Sequence, residues 1–202
     1  MHYYEDPQFR ERKLTRDFVD IHQGTLCQIL GLHIGDKIVV EFQKERYGAS
    51  GDVDIAVWKN PNSKNEAFIG VEVKCLFLDE EGQLKSEKLL KHNKQIRALE
   101  KEGWDYAYFF DFIVTKPANG WFHPQAFEGH DNYRKTVESK HYGHVVFQIN
   151  AVVGKPESMA GSISPKVLQE AKKLELRSGR QQIREAFKKI DFSSLPIVLD
   201  SV

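Results

Sequence analysis

The chain is poor in cysteine. Cys27 and Cys75 are the only two among 202 residues. Two thiols make neither a disulfide framework nor a four-cysteine zinc site. They read as small buried side chains in a reducing compartment. There is no apolar run near the roughly 20 residues that span a bilayer, and Met1-His2-Tyr3-Tyr4-Glu5-Asp6 lacks the basic and apolar regions of a secretory leader. The expectation is a cytoplasmic protein with no membrane partner. Net charge is also lacking, because 29 Lys+Arg offset 29 Asp+Glu. Bulk charge therefore gives no reason to bind nucleic acid or an anionic membrane, and any such binding needs positive charge concentrated locally. Internal repeats and low-complexity tracts are absent as well.

What is present is a globular composition, 41% hydrophobic and 29% charged, on a chain long enough for one domain with a sizeable core. Apolar spacing predicts a helix over 8–31 stopped by Gly31. Strands are predicted at 37–43, 52–58 and about 68–78, with a turn at 47–51 and a polar loop at 59–65. A helix over 84–102 ends at Gly103, and a buried strand follows at 104–114. Residues 116–141 read as irregular, 144–153 as a strand, 154–165 as a linker, and 166–190 as a basic helix. This order predicts an α/β (α+β) fold with a central mixed sheet flanked by helices. Residues 1–153 would form the core domain, and 154–202 a linker with a basic C-terminal helix packed on or extending it.

Two predicted strands carry charge in an unusual place. Alternation sets Val53, Ile55 and Val57 on one face and Asp52, Asp54 and Ala56 on the other. On the next strand Val71 and Val73 oppose Glu72 and Lys74. A hairpin centred on Ser63 puts Asp54 opposite Glu72, with Cβ atoms about 4.5–5.5 Å apart, unless the loop 59–67 bulges and shifts the register. Like charges there repel. A divalent cation bound by oxygen ligands at about 2.0–2.6 Å would turn that repulsion into binding.

Asp54 followed by Glu72-Val73-Lys74 resembles the Asp…(Asp/Glu)-x-Lys motif of the restriction-endonuclease-like PD-(D/E)xK nuclease superfamily. The resemblance covers roughly residues 10 to 115 and includes the helix and strand that follow Glu-x-Lys. Val53 stands where the motif often has Pro. The resemblance implies a restriction-endonuclease-like fold and a Mg2+-dependent nuclease, with Mn2+ as a substitute. It would hydrolyse phosphodiester bonds in DNA as an endonuclease, and the resemblance also implies a homodimer. Asp54, Glu72 and the Val73 carbonyl would hold the metal, and Lys74 would orient water or neutralise charge on the phosphate. The alternative is a catalytically idle module of the same fold that binds nucleic acid or protein. A hydrolase of another anionic ester is a third reading.

Other residues carry weaker signals. Asp52 shares a face with Asp54. Gln95, in His92-Asn93-Lys94-Gln95, falls where some superfamily members place a Gln near the metal. Glu41, Glu45, Asp17 and Asp20 are candidates for the upstream acidic residue that several members add. Lys91 and Lys94 belong to a basic run over 85–101, and a second basic run covers 166–190. Either can track a phosphate backbone or simply face solvent. The spacing of His123, His130, His141 and His144 matches no compact zinc motif. Trp121, Phe122, Phe127 and Tyr133 read as cover for the sheet edge.

Overall fold

The computed structural model describes residues 10–48, 51–77, 94–95, 97–115, 141–150, 163, 165–175 and 178–194. The chain runs through α1 (Arg10–Ile21), α2 (Gln23–Leu30), β1 (Lys37–Phe42), a single turn α3 (Lys44–Tyr47), β2 (Val53–Lys59) and β3 (Ala67–Phe77). Residues 94–95 and 97–102 are helical and are called α4. Then come β4 (Tyr106–Thr115), β5 (Gly143–Asn150), β6 (Pro165–Gln169), α5 (Gly179–Lys188) and a 3-10 turn (Phe192–Ser194).

Six strands form one sheet in the order β1-β2-β3-β4-β5-β6. β1, β2 and β3 are an antiparallel meander, β3, β4 and β5 are parallel, and β6 returns antiparallel on β5. The sheet is therefore mixed, as expected. Both faces are covered. Leu14, Phe18, Leu26 and Leu30 of α1 and α2 pack on Ile55, Val57, Val71, Val73 and Phe110. On the other face Leu99 of α4 and Ile183, Ala186 and Phe187 of α5 pack with Phe42, Trp58, Trp104 and Phe109. Burial on both sides explains why β2 and β3 read as nearly continuous runs of branched and aromatic residues. It also removes the reading of Asp54 and Glu72 as ordinary charges on an exposed hairpin face. Cys27 is half-buried and Cys75 is buried. Among the described residues no helix is long and apolar enough to cross a membrane.

Both predicted helix stops are real. Gly31 adopts φ 60 and closes α2 through a bond to the Cys27 carbonyl. Gly103 ends α4 at φ 103, and α5 packs directly on it: a Cβ added there would lie 2.2 Å from the Arg180 amide nitrogen. Gly103→Ala is expected to cost about 1–3 kcal/mol, because backbone cannot yield as a side chain can. A urea midpoint unchanged from wild type would contradict that packing.

Several expectations need correction. The helix over 8–31 is two helices broken at His22, where His22, Gly24 and Thr25 are weak helix formers. Tyr47, placed in the predicted turn at 47–51, instead closes α3, and residues 49–50 lie outside the described residues. The basic helix does not start at 166: Pro165–Gln169 is strand β6, and the helix begins only at Gly179. Ladder bonds to β5 outweigh the helical propensity of Lys166 and Leu168. After β6 the chain stays extended, with the Lys172 amide donating to the His141 carbonyl and the Leu174 amide to the Asp105 carbonyl. Residue 165 is thus sheet rather than linker. Residues 78–93, 116–140 and 151–162 lie outside the described residues, and with them Lys91, His92, Asn93, His123, His130 and the aromatics Trp121, Phe122, Phe127 and Tyr133.

Candidate functional site

The β2–β3 ladder pairs Ile55 with Val71 and runs to Lys59 with Ala67, the register of a hairpin centred on Ser63. The loop does not shift it. Beyond Ile55 the ladder stops, and a side chain takes over from the main chain. Asp54 Oδ2 accepts the Val73 N–H at 2.7 Å. Asp54 is thereby pinned beside Glu72 by a backbone donor. Alternation also breaks here. Ile55 and Val57 face α1 and α2, whereas Val53 joins the opposite core with Ala56 and Trp58, so Val53 does not share the face of Ile55.

β3 presents Glu72 and Lys74 on one side of the sheet, two residues apart. Glu72 is only 8% exposed. Its Oε2 accepts from Lys74 Nζ at 3.2 Å and from Gln95 Nε2 at 3.0 Å. Gln95 is thus brought by α4 onto the carboxylate. Exposed Asp52, which precedes β2, lines the same cleft, and Lys94 faces solvent. The cleft encloses about 460 Å³ between β1, β2, β3 and α4.

Burial dominates the electrostatics. It pushes the Glu72 carboxyl up, and the Asp54 charge adds to it, so that the pKa reaches about 8 despite Lys74. Burial also raises Asp54, against the opposing pull of Lys74 and the Val73 N–H. Burial works against the charge of Lys74, yet Glu72, Asp54 and Glu11 outweigh it and raise its pKa. The group is a protonated amine between two carboxyls that are reluctant to ionise. Such a site gains by taking up a cation.

The fit to a metal rests on these two carboxylates. Among the described residues no cluster of three or more His, Cys, Asp and Glu side chains is arranged to hold a metal ion. Mg2+ does not require one, since it is usually bound through one or two carboxylates, with water and substrate phosphate completing its shell. The raised pKa values and the cleft in front of them suit that chemistry.

Of the upstream acids, Glu41 lines the cleft. In the β1–β2 ladder it falls between Val40, paired with Ile55, and Phe42, paired with Val53, which places it across from Asp54. It holds φ 57, a left-handed conformation that costs a non-glycine residue about 1 kcal/mol or more. Arg16 meets its Oε1 at 2.9 Å and Arg12 its Oε2 at 3.2 Å. Sequence reasoning did not find these arginines. Their spacing of four on α1 was the available signal. Glu45 and Asp20 are exposed, and Asp17 pairs with Lys13 at 2.9 Å.

Within the second basic run Arg180 and Arg184 turn inward, whereas Lys166, Lys172, Lys173, Lys188 and Lys189 are exposed. Arg180 Nε donates to both carboxylate oxygens of Asp105, at 2.9 and 3.1 Å, and Arg184 donates to Glu66. Both side chains face the fold rather than a ligand. Of the histidines, His144 Nε2 lies 2.6 Å from Asp111 Oδ2 in the core, and His141 is exposed. A scan against protein-family models finds no match for this chain, and a search of curated proteins finds none either.

Proposed function

We propose that the protein is a Mg2+-dependent nuclease of restriction-endonuclease-like fold that hydrolyses phosphodiester bonds in DNA. The observation that carries this reading is the convergence of Asp54, Glu72, Lys74 and Gln95 on one cleft, with both carboxyls held above their usual range. Asp54 and Glu72 would hold the metal with the Val73 carbonyl, and Mn2+ would substitute. When bound, the ion supplies Lewis-acid polarisation of the scissile phosphate. The chain does the rest. Asp54 is held in place by the Val73 amide, so its carboxylate needs no reorientation. Gln95 fixes the Glu72 rotamer. Lys74, kept protonated by its neighbours, places positive charge where negative charge grows on the phosphate.

The test is cleavage of plasmid and oligonucleotide DNA in Mg2+ or EDTA. Lys74→Ala is expected to lower kcat about 10²–10³-fold, the usual loss when one preorganised charge-stabilising group is removed. Cleavage that persists in EDTA, or that runs at an undiminished rate in Lys74→Ala, would refute the site. No cleavage of duplex, single-stranded or branched DNA, together with metal-independent binding, would favour the idle binding module.

A further inference from the structure

We propose that Arg12 and Arg16 seat the phosphate backbone of the substrate strand at the cleft, and that Glu41 occupies their guanidinium groups as an internal phosphate mimic until the strand displaces it. The inference rests on the nuclease reading and deepens it.

The electrostatic need comes first. The cleft is lined by five acidic side chains and only two basic ones, Arg12 and Lys74. Lys74 is engaged by Glu72 at the cleft wall. A polyanion approaching this surface meets net repulsion unless cations stand at its rim. Arg12 and Arg16 stand there. Their side chains are 54% and 60% exposed, whereas the Glu41 carboxylate that joins them is 19% exposed.

The pairing is also exchangeable. Each guanidinium meets Glu41 through one nitrogen, at 3.2 and 2.9 Å, although it carries five N–H donors. Glu41 Oε1 is buried and accepts no well-aligned hydrogen bond, so the 2.9 Å approach of Arg16 is a charge contact rather than a directed bond. Both guanidinium groups are more than half exposed, so solvent screens the pairing and limits what it adds to stability. A left-handed backbone held for such a pair is therefore poorly explained by stability alone. A phosphodiester offers two oxygens to two forked donors and takes the place of the carboxylate in the same geometry. The row Glu41, Asp54 and Glu72 then lies directly beneath the seated phosphate.

The test measures binding of a fluorescein-labelled DNA oligonucleotide in EDTA, where no cleavage competes, between about 50 and 200 mM NaCl. Glu41→Gln is expected to tighten binding several-fold, because it frees two guanidinium groups. The double variant Arg12→Ala/Arg16→Ala is expected to weaken binding about tenfold and to lower the slope of log K against log salt by about 1.5–2, the share of two phosphate contacts. Arg12→Lys/Arg16→Lys, which keeps charge but loses the fork, should fall between, with an unchanged melting temperature. Unchanged or weaker binding by Glu41→Gln, or an unchanged salt slope in the double alanine variant, overturns the proposal. Wild-type protein that cleaves DNA through Lys74 while these variants bind normally removes this inference alone. Wild-type protein that neither binds nor cleaves removes the nuclease reading with it.

Discussion

Glu72→Gln is expected to stabilise the metal-free protein while removing cleavage and the response to Mg2+. The fold raises the Glu72 carboxyl to about 8 from 4.5. The folded state therefore holds this proton more tightly than the unfolded chain does. The associated stability is fully present below about 4.5 and is lost as pH rises through about 8. Asp54 is shifted in the same direction and adds to the decline. The penalty of keeping Glu72 ionised at alkaline pH is on the order of a few kcal/mol. Gln keeps the shape and an oxygen for Lys74 and Gln95 but has no proton to lose. Its melting temperature should exceed that of wild type above about pH 8 and converge with it near 4.5, the values that bound the Glu72 titration. In wild type, Mg2+ should raise the melting temperature most at alkaline pH, where it does not compete with the proton. If Glu72 holds the proposed Mg2+, its loss removes several kcal/mol of transition-state stabilisation, or roughly a thousandfold or more in rate. Melting curves that run parallel across the pH range would falsify the account of Glu72.

Arg180→Ala is expected to cause the largest loss of stability, about 3–5 kcal/mol, by stranding a buried carboxylate. Asp105 is 2% exposed, and its Oδ2 also accepts the Phe68 amide at 2.8 Å. Arg180 answers that charge with Nε, donates to the Glu66 carbonyl at 3.0 Å and lies 4.9 Å over the Phe68 ring. Glu66 completes the group, accepting from Trp58 Nε1 at 3.0 Å and from Arg184. Burial works against the Glu66 charge, but Arg184 and Trp58 outweigh it and lower its pKa. Urea unfolding should show a reduced midpoint with an unchanged m value. Asp105→Asn/Arg180→Met should lose much less than the sum of its two single changes, because neither charge is then left alone. Additive losses would show that the two residues act separately.

The parts of this protein that were legible in its sequence are those decided locally. Ser63 centres the hairpin because turn residues and alternation agree over a short span, and that register, completed by the Val73 amide bond to Asp54, brings Asp54 beside Glu72. Gly31 and Gly103 mark helix ends because glycine accepts the left-handed region without strain. Gln95 was within reach because the helix follows the Glu-x-Lys strand. What was not legible depends on distant partners. Lys166 to Gln169 look helical until β5 supplies its ladder. Arg180 and Arg184 look like a solvated or phosphate-binding face until Asp105 and Glu66 arrive beneath them. Val53 follows simple alternation until the strands part and Asp54 bonds the Val73 amide. The grip of Arg12 and Arg16 on Glu41 needs the β1 backbone to turn left-handed, which no spacing rule announces.

The clamp on Glu66 also has a consequence for the order in which the chain is made. Asp54, Glu72, Lys74 and Gln95 all precede α5, and Arg184 lies 118 positions beyond the glutamate it neutralises. While synthesis is under way, the sheet that carries the cleft holds two buried acids with no counter-charge. That intermediate is short of the stability on which a working cleft depends. The finished cleft therefore awaits the closing helix, and a chain broken off before Arg180 should be cleared as an unfolded product rather than released as a folded fragment.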